Sequence, residues 1–236
     1  MVTTATMIDA MGVNSSNIPA STRFVQAYVT GIDGVPWTAP QMSRFSNSVL
    51  FKMAQNGGPA PDPHNLHGLD VENQAYTPQE AANTVDVRVK LGIPWTTIYG
   101  GDSALANTAT DIQAFGSGIW LGHVNCILAD WNLNEAEAAA RVGTFVHGMT
   151  CVGVQWASPS SNPNTQLPGS GLTLAQANCD LNVVDATWRP DIWNVMPASP
   201  PPPPPPPPVK GVLIVLPNGA TVNVLSADNG KTWSSQ

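Results

Sequence analysis

Apolar and polar residues alternate in short segments along the first 190 or so residues, and several of these segments are separated by stretches with helical spacing. Successive side chains of a strand point to opposite faces, so each alternating segment predicts a strand with one buried face. The predicted strands cover residues 6–9, 23–30, 48–53, 67–73, 93–99, 118–123, 126–131 and 152–157, and a last one begins near Asp180.

Capping sequences mark where helices begin. Thr77 and Glu80 form a capping box with a proline between them at the first helical position, and Thr38 stands in the same relation to Gln41. Helices are therefore predicted after Thr38 and Thr77, and further ones around 103–115 and from Asn134 to about His147. In the helix after Thr77 the predicted apolar stripe consists of Ala81, Ala82, Val85, Val89 and Leu91, and Gly92 ends that helix.

Strands that alternate with helices favour a parallel α/β architecture, either a barrel or an open doubly wound sheet. The sequence contains no glycine-rich phosphate loop of the kind found in nucleotide-binding open sheets, which favours the barrel. The long interval 158–178 is poor in helical patterns. The expected fold is thus an α/β, modified TIM-like β/α barrel with an incomplete ring of helices, over residues 1–195.

The C-terminal part has a different character. Residues 200–208 are nine consecutive prolines, which predict a stiff polyproline II spacer of roughly 28 Å within a linker at 196–208. Beyond it, alternating segments flank Pro217-Asn218-Gly219, a strong hairpin signal, and 226–233 resembles the Asp-box turn. A β-rich tail over 209–236 is too small to be stable alone, so we expect it to dock on another protein or on copies of itself.

Composition narrows the choice of partner. The chain has 236 residues, of which 42% are hydrophobic, enough for one barrel and an appendage. A formal charge of −7 with scattered Lys and Arg argues against a nucleic-acid partner. The first residues lack a secretory signal, and nowhere are there about 20 consecutive apolar residues, so neither secretion by a signal peptide nor membrane insertion is predicted.

Metal and cofactor sites are not predicted. His64 and His67 flank the acidic strand beside Asp62 and Asp70, but the stretch has no zinc-binding motif such as H-E-x-x-H. The three cysteines are odd in number and no two have metal-ligand spacing, so they are expected to be small buried thiols. Their positions are Cys126, Cys151 and Cys179.

The strand at 67–73 carries the candidate chemistry. Asp70 and Glu72 are predicted on one face, at the carboxyl end of the strand, with Leu69 and Val71 on the other. Two ionised carboxylates roughly 7 Å apart repel by about 2 kcal/mol at an effective dielectric of about 20, more than one pKa unit. One of them would hold its proton near neutral pH, the division that glycoside cleavage needs. A solvated strand end with two acids is the alternative.

Six segments in order resemble glycoside hydrolase family 25, the muramidases, and their lysozyme-like relatives in phages of actinobacteria. The resemblance covers about residues 5–190, and the D-x-E strand Asp70-Val71-Glu72 is its most specific piece. The other five segments are Met7-Ile8-Asp9, Thr97-Ile98-Tyr99, Ile127-Leu128-Ala129-Asp130-Trp131, Val154-Gln155-Trp156 and Cys179-Asp180-Leu181-Asn182.

The resemblance implies cleavage of the β-1,4 bond after N-acetylmuramic acid in peptidoglycan, without a cofactor. It implies that Glu72 is the general acid and that Asp70 stabilises the developing charge by holding the 2-acetamido group of the substrate. Asp9 and Asp180 are implied to line the pocket. The implied substrate-binding residues are Tyr99, Trp131, Gln155 and Trp156, the aromatic ones by stacking on sugar rings.

Two functions from different classes follow. The first is a phage-type glycosidase that acts at the bacterial cell wall, either released at lysis or carried on the virion. The alternative is a virion structural protein, such as a minor tail protein, whose barrel binds envelope glycans without cutting them. The proline run and the small tail over 209–236 favour the alternative, because a free enzyme has little use for a stiff arm that ends in a docking or oligomerisation module.

Overall fold

The computed structural model describes residues 2–31, 35–55, 66–72, 76–92, 96–114 and 119–190, together with the strands of the C-terminal part. The chain divides into two compact units, 1–196 and 197–236. The predicted proline run and most of the Asp-box segment lie outside the described residues.

Eight strands of the first unit close into a mixed β-barrel with a few helices. Seven of them are parallel, and β9 runs antiparallel between β8 and β1. A ninth strand, β7, forms a short antiparallel pair with β8. The strands are β1 (Thr4–Ala10), β2 (Phe24–Thr30), β3 (Val49–Ala54), β4 (Gly68–Asp70), β5 (Thr97–Gly100), β6 (Asn125–Ala129), β7 (Phe145–Val146), β8 (Met149–Ala157) and β9 (Asp180–Asp185). The predicted strands near these positions are confirmed, apart from 118–123.

Alternation along the strands separates the barrel interior from its outer shell. One cluster of buried apolar residues fills the interior and two others cover the outside. Gly68 leaves room for the ring of Phe51, since an added Cβ would lie 2.5 Å from the Phe51 ring. The interior cluster consists of Met7, Phe24, Tyr28, Phe51, Met53, Tyr99, Ile127, Ala129, Val152, Val184 and Trp188.

The helices are α1 (Ala39–Ser43), α2 (Pro78–Lys90), α3 (Asp102–Ala114), α4 (Glu135–Arg141) and α5 (Leu174–Ala177). The capping boxes predicted at Thr38 and Thr77 are confirmed. The predicted stripe of α2 is wrong at its end, because Val89 and Leu91 are exposed. The buried face runs instead through Val85 to Arg88, whose Nη1 donates a hydrogen bond to the Leu66 carbonyl at 2.7 Å.

Two further predictions are wrong. Of the predicted strand 118–123, the described residues 119–123 do not form a strand and contain a 3₁₀ turn at Leu121–His123. The helix predicted to reach His147 ends at Arg141, because the backbone of Val142 is already extended and Gly143 then has a φ of +83°, outside the helical region. The chain then reverses at His147, with a φ of +49°, so that β7 pairs with β8.

The second unit contains three antiparallel strands, β10 (Lys210–Val215), β11 (Thr221–Ser226) and β12 (Ser234–Ser235). The predicted pairing of the segments on either side of Pro217-Asn218-Gly219 is confirmed. Sequence reasoning did not predict β12. Among the helices in the described part of the chain, none is long and apolar enough to span a membrane.

Candidate functional site

A pocket of about 580 Å³ opens at the end of the barrel where the parallel strands finish. Active sites of α/β barrels occupy the same end of the strands. Four carboxyl groups, two tyrosines and two glutamines contribute to its walls. Its lining residues are Asp9, Ala10, Met11, Tyr28, Val35, Gln55, Asp70, Glu72, Tyr99, Trp131, Gln155, Ser158, Pro159, Ser160, Asn178 and Asp180.

The acidic strand has the predicted alternation. Leu69 and Val71 pack into the outer core, whereas Asp70 and Glu72 line the pocket. β4 ends at Asp70, so Glu72 follows the strand rather than belonging to it. Asp70 is held at both oxygens: Oδ1 accepts the backbone N–H of Glu72 at 2.8 Å, and Oδ2 accepts Gln55 Nε2 at 2.8 Å.

The two acids of the strand differ in proton affinity. Burial raises the pKa of Asp70 to about 6, against the lowering effect of its hydrogen bonds from Gln55 and Glu72. Burial and the negative charge of Asp70 raise the pKa of Glu72 to about 7, against hydrogen bonds from Tyr99 and the Gly101 backbone. Glu72 is therefore the more readily protonated member at neutral pH, the property required of a general acid.

A second pair of acids lies across the pocket. Burial, followed by repulsion from Asp180, raises the pKa of Asp9 well above its ordinary value. Asp9 Oδ2 accepts the side-chain amides of Gln26 and Asn182, each at 3.3 Å. Burial and the charge of Glu72 raise the pKa of Asp180 to about 7, although a hydrogen bond from Gln155 lowers it. Three carboxyl groups of the pocket, those of Asp70, Glu72 and Asp180, thus have pKa values of about 6 to about 7.

Tyr99 and Gln155 lie between the two pairs of acids in the pocket. Tyr99 lies on β5 directly opposite Asp70 of β4, and its hydroxyl donates a hydrogen bond to Gln155 Oε1. Burial raises the pKa of Tyr99 well above its ordinary value, with neighbouring acidic groups adding to the effect. The hydroxyl therefore keeps its proton at neutral pH and serves as a fixed hydrogen-bonding group.

Trp131 lies on the rim of the pocket. It follows β6 and is 43% exposed, an unusual position for a large apolar side chain. Asp130, just before it, accepts the backbone N–H of Asn132 at 3.1 Å in a tight turn that directs the chain around the rim. An exposed indole beside a polar cavity is suited to stacking on the apolar face of a sugar.

One predicted site residue, Trp156, lies away from the others. Trp156 does not line this pocket; it lies half-buried beside a separate groove on the outside of the barrel, with Thr6 and Glu135. The reason is the alternation of β8: Gln155 faces the interior, so its neighbour must face outward. The other predicted site residues all line the pocket, namely Asp9, Asp70, Glu72, Tyr99, Trp131, Gln155 and Asp180.

Sequence reasoning missed Tyr28, Gln55 and the amides that hold Asp9. Tyr28 shares the interior face of β2 with Phe24, and Gln55 follows Phe51 and Met53 of β3 by steps of two. Extending the alternation to polar residues on these strands would have predicted both.

His67 makes a structural hydrogen bond beside the acidic strand. It is buried, and its Nδ1 accepts the backbone N–H of Lys52 at 3.0 Å. Its suggested partners Asp62 and His64 lie outside the described residues. Within the described ranges, no group of three or more His, Cys, Asp or Glu residues is placed to hold a metal ion. Cys126, Cys151 and Cys179 are buried free thiols, as predicted.

Comparison with protein families, with curated proteins and with solved structures gives no match. A carboxyl group with a pKa near 7, a second carboxyl beside it and an aromatic rim form a set suited to acid-catalysed cleavage of a glycosidic bond.

Proposed function

We propose that the chain is a muramidase-like glycosidase that cleaves the β-1,4 bond after N-acetylmuramic acid in peptidoglycan. The observation that carries the proposal is the placement of Asp70 and Glu72 together in a pocket at the carboxyl ends of parallel strands. On this proposal the barrel is a modified TIM-like barrel with an incomplete helix ring, related to glycoside hydrolase family 25. The protein would act at the bacterial cell wall, released by a phage or carried on its virion.

The proposed reaction begins with Glu72 in its protonated form. Glu72 gives its proton to the glycosidic oxygen while the bond from that oxygen to C1 breaks. The carbonyl oxygen of the substrate's 2-acetamido group attacks C1 from the other face, and Asp70 accepts the amide N–H and balances the positive charge of the cyclic intermediate. Water then attacks C1, the bond from C1 to the acetamido oxygen breaks, and the water loses a proton to Glu72, which restores the starting state of the enzyme and the acetamido group of the sugar.

The walls of the pocket support binding of a sugar. Its volume of about 580 Å³ lies within the usual range of small-molecule sites. Trp131 offers an exposed aromatic face at the rim, and Tyr99 and Gln155 offer polar groups inside. Such a combination of one stacking face and a few fixed polar groups orients a carbohydrate ring.

Reducing-sugar release from purified actinobacterial cell wall tests the proposal. The wild type should release sugar, and Glu72→Gln should lose about 10²-fold or more, the usual contribution of a general acid. Glu135→Gln is the matched control, since Glu135 is an exposed residue of the first turn of α4, outside the pocket. Absence of release by the folded wild type would reject the enzymatic proposal.

A glycan-binding virion protein without hydrolysis is the second candidate. It is favoured by the separate compact unit at 197–236, whose three antiparallel strands follow the proline run. Such a unit suits attachment to a larger assembly or to copies of the same chain. Co-sedimentation of the wild type with cell wall, combined with no sugar release, would support this candidate.

A further inference from the structure

Gln55 connects the ends of three neighbouring strands beside the pocket. It directly follows β3, and its backbone carbonyl accepts the hydroxyl of Thr30 at the end of β2 at 2.7 Å. Its side-chain Nε2 donates a hydrogen bond to Oδ2 of Asp70 at the end of β4, at 2.8 Å. Because both the backbone and the side chain of Gln55 are hydrogen-bonded, its amide is held in one place in the lining of the pocket.

The chemistry of the two partners decides which end of the amide faces Asp70. An ionised carboxylate only accepts hydrogen bonds, so the amide presents its nitrogen. The amide oxygen lies beside Gly31, where an added Cβ would be 3.4 Å away from it. Gly31 comes directly after β2, the strand that also holds the Gln55 carbonyl through Thr30. The end of β2 therefore supports Gln55 in two places.

The plane of the Asp70 carboxylate depends on a second donor. Rotation about the Cβ–Cγ bond of an aspartate has broad preferences, so one hydrogen bond leaves the plane loosely defined. The backbone N–H of Glu72 holds Oδ1 at 2.8 Å, and Gln55 holds Oδ2 at the same distance. Among the described residues, these two groups make the hydrogen bonds to the carboxylate. One donor on each oxygen defines the plane.

We propose that Gln55 is a positioning residue that fixes the Asp70 carboxylate in the orientation in which it meets the substrate. The inference rests on the proposed function, in which Asp70 accepts the N–H of the 2-acetamido group. A carboxylate that rotates freely meets that N–H in the productive geometry less often, and small errors of placement are costly in catalysis. Gln55 acts through Asp70 and makes or breaks no bond itself.

The groups around Asp70 act against its ionised form. Repulsion from Asp70 raises the pKa values of Asp9 and Glu72. The described lining of the pocket contains no Lys, Arg or His that could offset this repulsion. The hydrogen bond from Gln55 lowers the pKa of Asp70, against the effect of burial, so the amide that orients the carboxylate also favours its charge. The titratable groups that share the pocket with Asp70 are Asp9 of β1, Tyr28 of β2, Glu72 after β4, Tyr99 of β5 and Asp180 of β9.

Carbon-13 NMR of the full chain with labelled carboxyl carbons measures the charge of Asp70, whose signal is identified by its loss in Asp70→Asn. Gln55→Met keeps the length of the side chain without its donor, so the Asp70 midpoint should rise by about one pH unit. Gln55→Glu places a second carboxylate against Oδ2, so the midpoint should rise further. Gln113→Met is the matched control, because Gln113 is an exposed residue of α3 outside the pocket, and it should leave the midpoint unchanged.

Hydrogen exchange of the Glu72 backbone amide reports the orientation of the carboxylate. This N–H bonds to Oδ1, so it should exchange roughly fivefold faster in Gln55→Met, where the carboxylate is free to rotate. Gln113→Met should keep the wild-type exchange rate. An Asp70 midpoint and a Glu72 exchange rate that both match the wild type in folded Gln55→Met would overturn the proposal, as would equal Asp70 midpoints in Gln55→Met and Gln55→Glu.

Sugar release then connects the position of Asp70 with the reaction. In Gln55→Met, kcat should fall about tenfold or more with little change in KM, and the acidic limb of the pH profile should move to higher pH with the Asp70 midpoint. A rise in KM alone would contradict a positioning role. The NMR measurements need no turnover, so they decide how Gln55 acts on Asp70 even if the wild type releases no sugar, the result that rejects the proposed function.

Discussion

Asp70 accepts the backbone N–H of Glu72 through Oδ1 at 2.8 Å, so the first acid of the motif fixes the backbone that carries the second. The same carboxylate raises the pKa of Glu72 through its charge. Asp70 thereby contributes to Glu72 in two separable ways, as a hydrogen-bond acceptor and as a negative charge.

Asp70→Asn separates these contributions. The asparagine oxygen can still accept the Glu72 N–H, but the charge is removed, so the pKa of Glu72 should fall below its value of about 7. The basic limb of the pH profile of sugar release should move to lower pH, and the maximal rate should fall because the acetamido group loses its charged partner. An unchanged basic limb would contradict the assigned effect of the Asp70 charge.

Asp180→Asn should change stability in a pH-dependent manner. The pKa of Asp180 rises from 3.8 to about 7 on folding, so the folded state binds the proton more tightly and loses stability as pH rises between these values. Asparagine lacks this titration. Relative to the wild type, the variant should therefore gain unfolding free energy from pH 4 to pH 8, on the order of a few kcal/mol.

Urea denaturation of both proteins at several pH values measures this difference. Asp185→Asn is a suitable control, since Asp185 lies at the other end of β9, outside the pocket. A constant difference between wild type and Asp180→Asn over this pH range would show that the folded state does not retain the Asp180 proton.

Trp188→Ala should destabilise the barrel strongly. Trp188 is 2% exposed and packs on Phe51 with ring centroids 4.8 Å apart, inside the interior cluster. Truncating a buried aromatic residue costs about 3–5 kcal/mol. Trp120→Ala is the matched control, because Trp120 is 62% exposed and its truncation should change the unfolding free energy far less. Equal effects in urea denaturation would contradict the described packing.

Much of the site was predictable because it depends on local alternation. Leu69 and Val71 must face away from Asp70 and Glu72 in any extended chain, and the capping box at Thr77 marks the next helix without tertiary information. Alternation alone does not show which face of a strand points into the barrel, because that depends on how the barrel closes. Gln155 and Trp156 were both predicted at the site, yet adjacent residues of one strand cannot both face the interior.

The end of α4 and the hydrogen-bond donor Gln55, which sequence reasoning missed, both depend on contacts between distant segments. Two residues after α4 ends, the backbone N–H of Gly143 donates a hydrogen bond to the Cys151 carbonyl of β8, a contact that local spacing does not reveal. Gln55 follows β3, and its bond to Asp70 joins residues 15 positions apart. Pairings between distant segments fix these features, and sequence periodicity carries little information about them.

Trp131→Ala should weaken binding to glycan while leaving the fold intact. The indole is 43% exposed on the rim of the pocket, so its removal leaves little cavity in the core, but the sugar loses a stacking face. The expected loss of about 1 kcal/mol corresponds to roughly a five- to tenfold rise in the dissociation constant for soluble peptidoglycan fragments. Trp156→Ala is the control, since Trp156 lies outside the pocket. Calorimetry should therefore show weaker binding for Trp131→Ala alone, and equal losses in both variants would place the sugar elsewhere on the barrel.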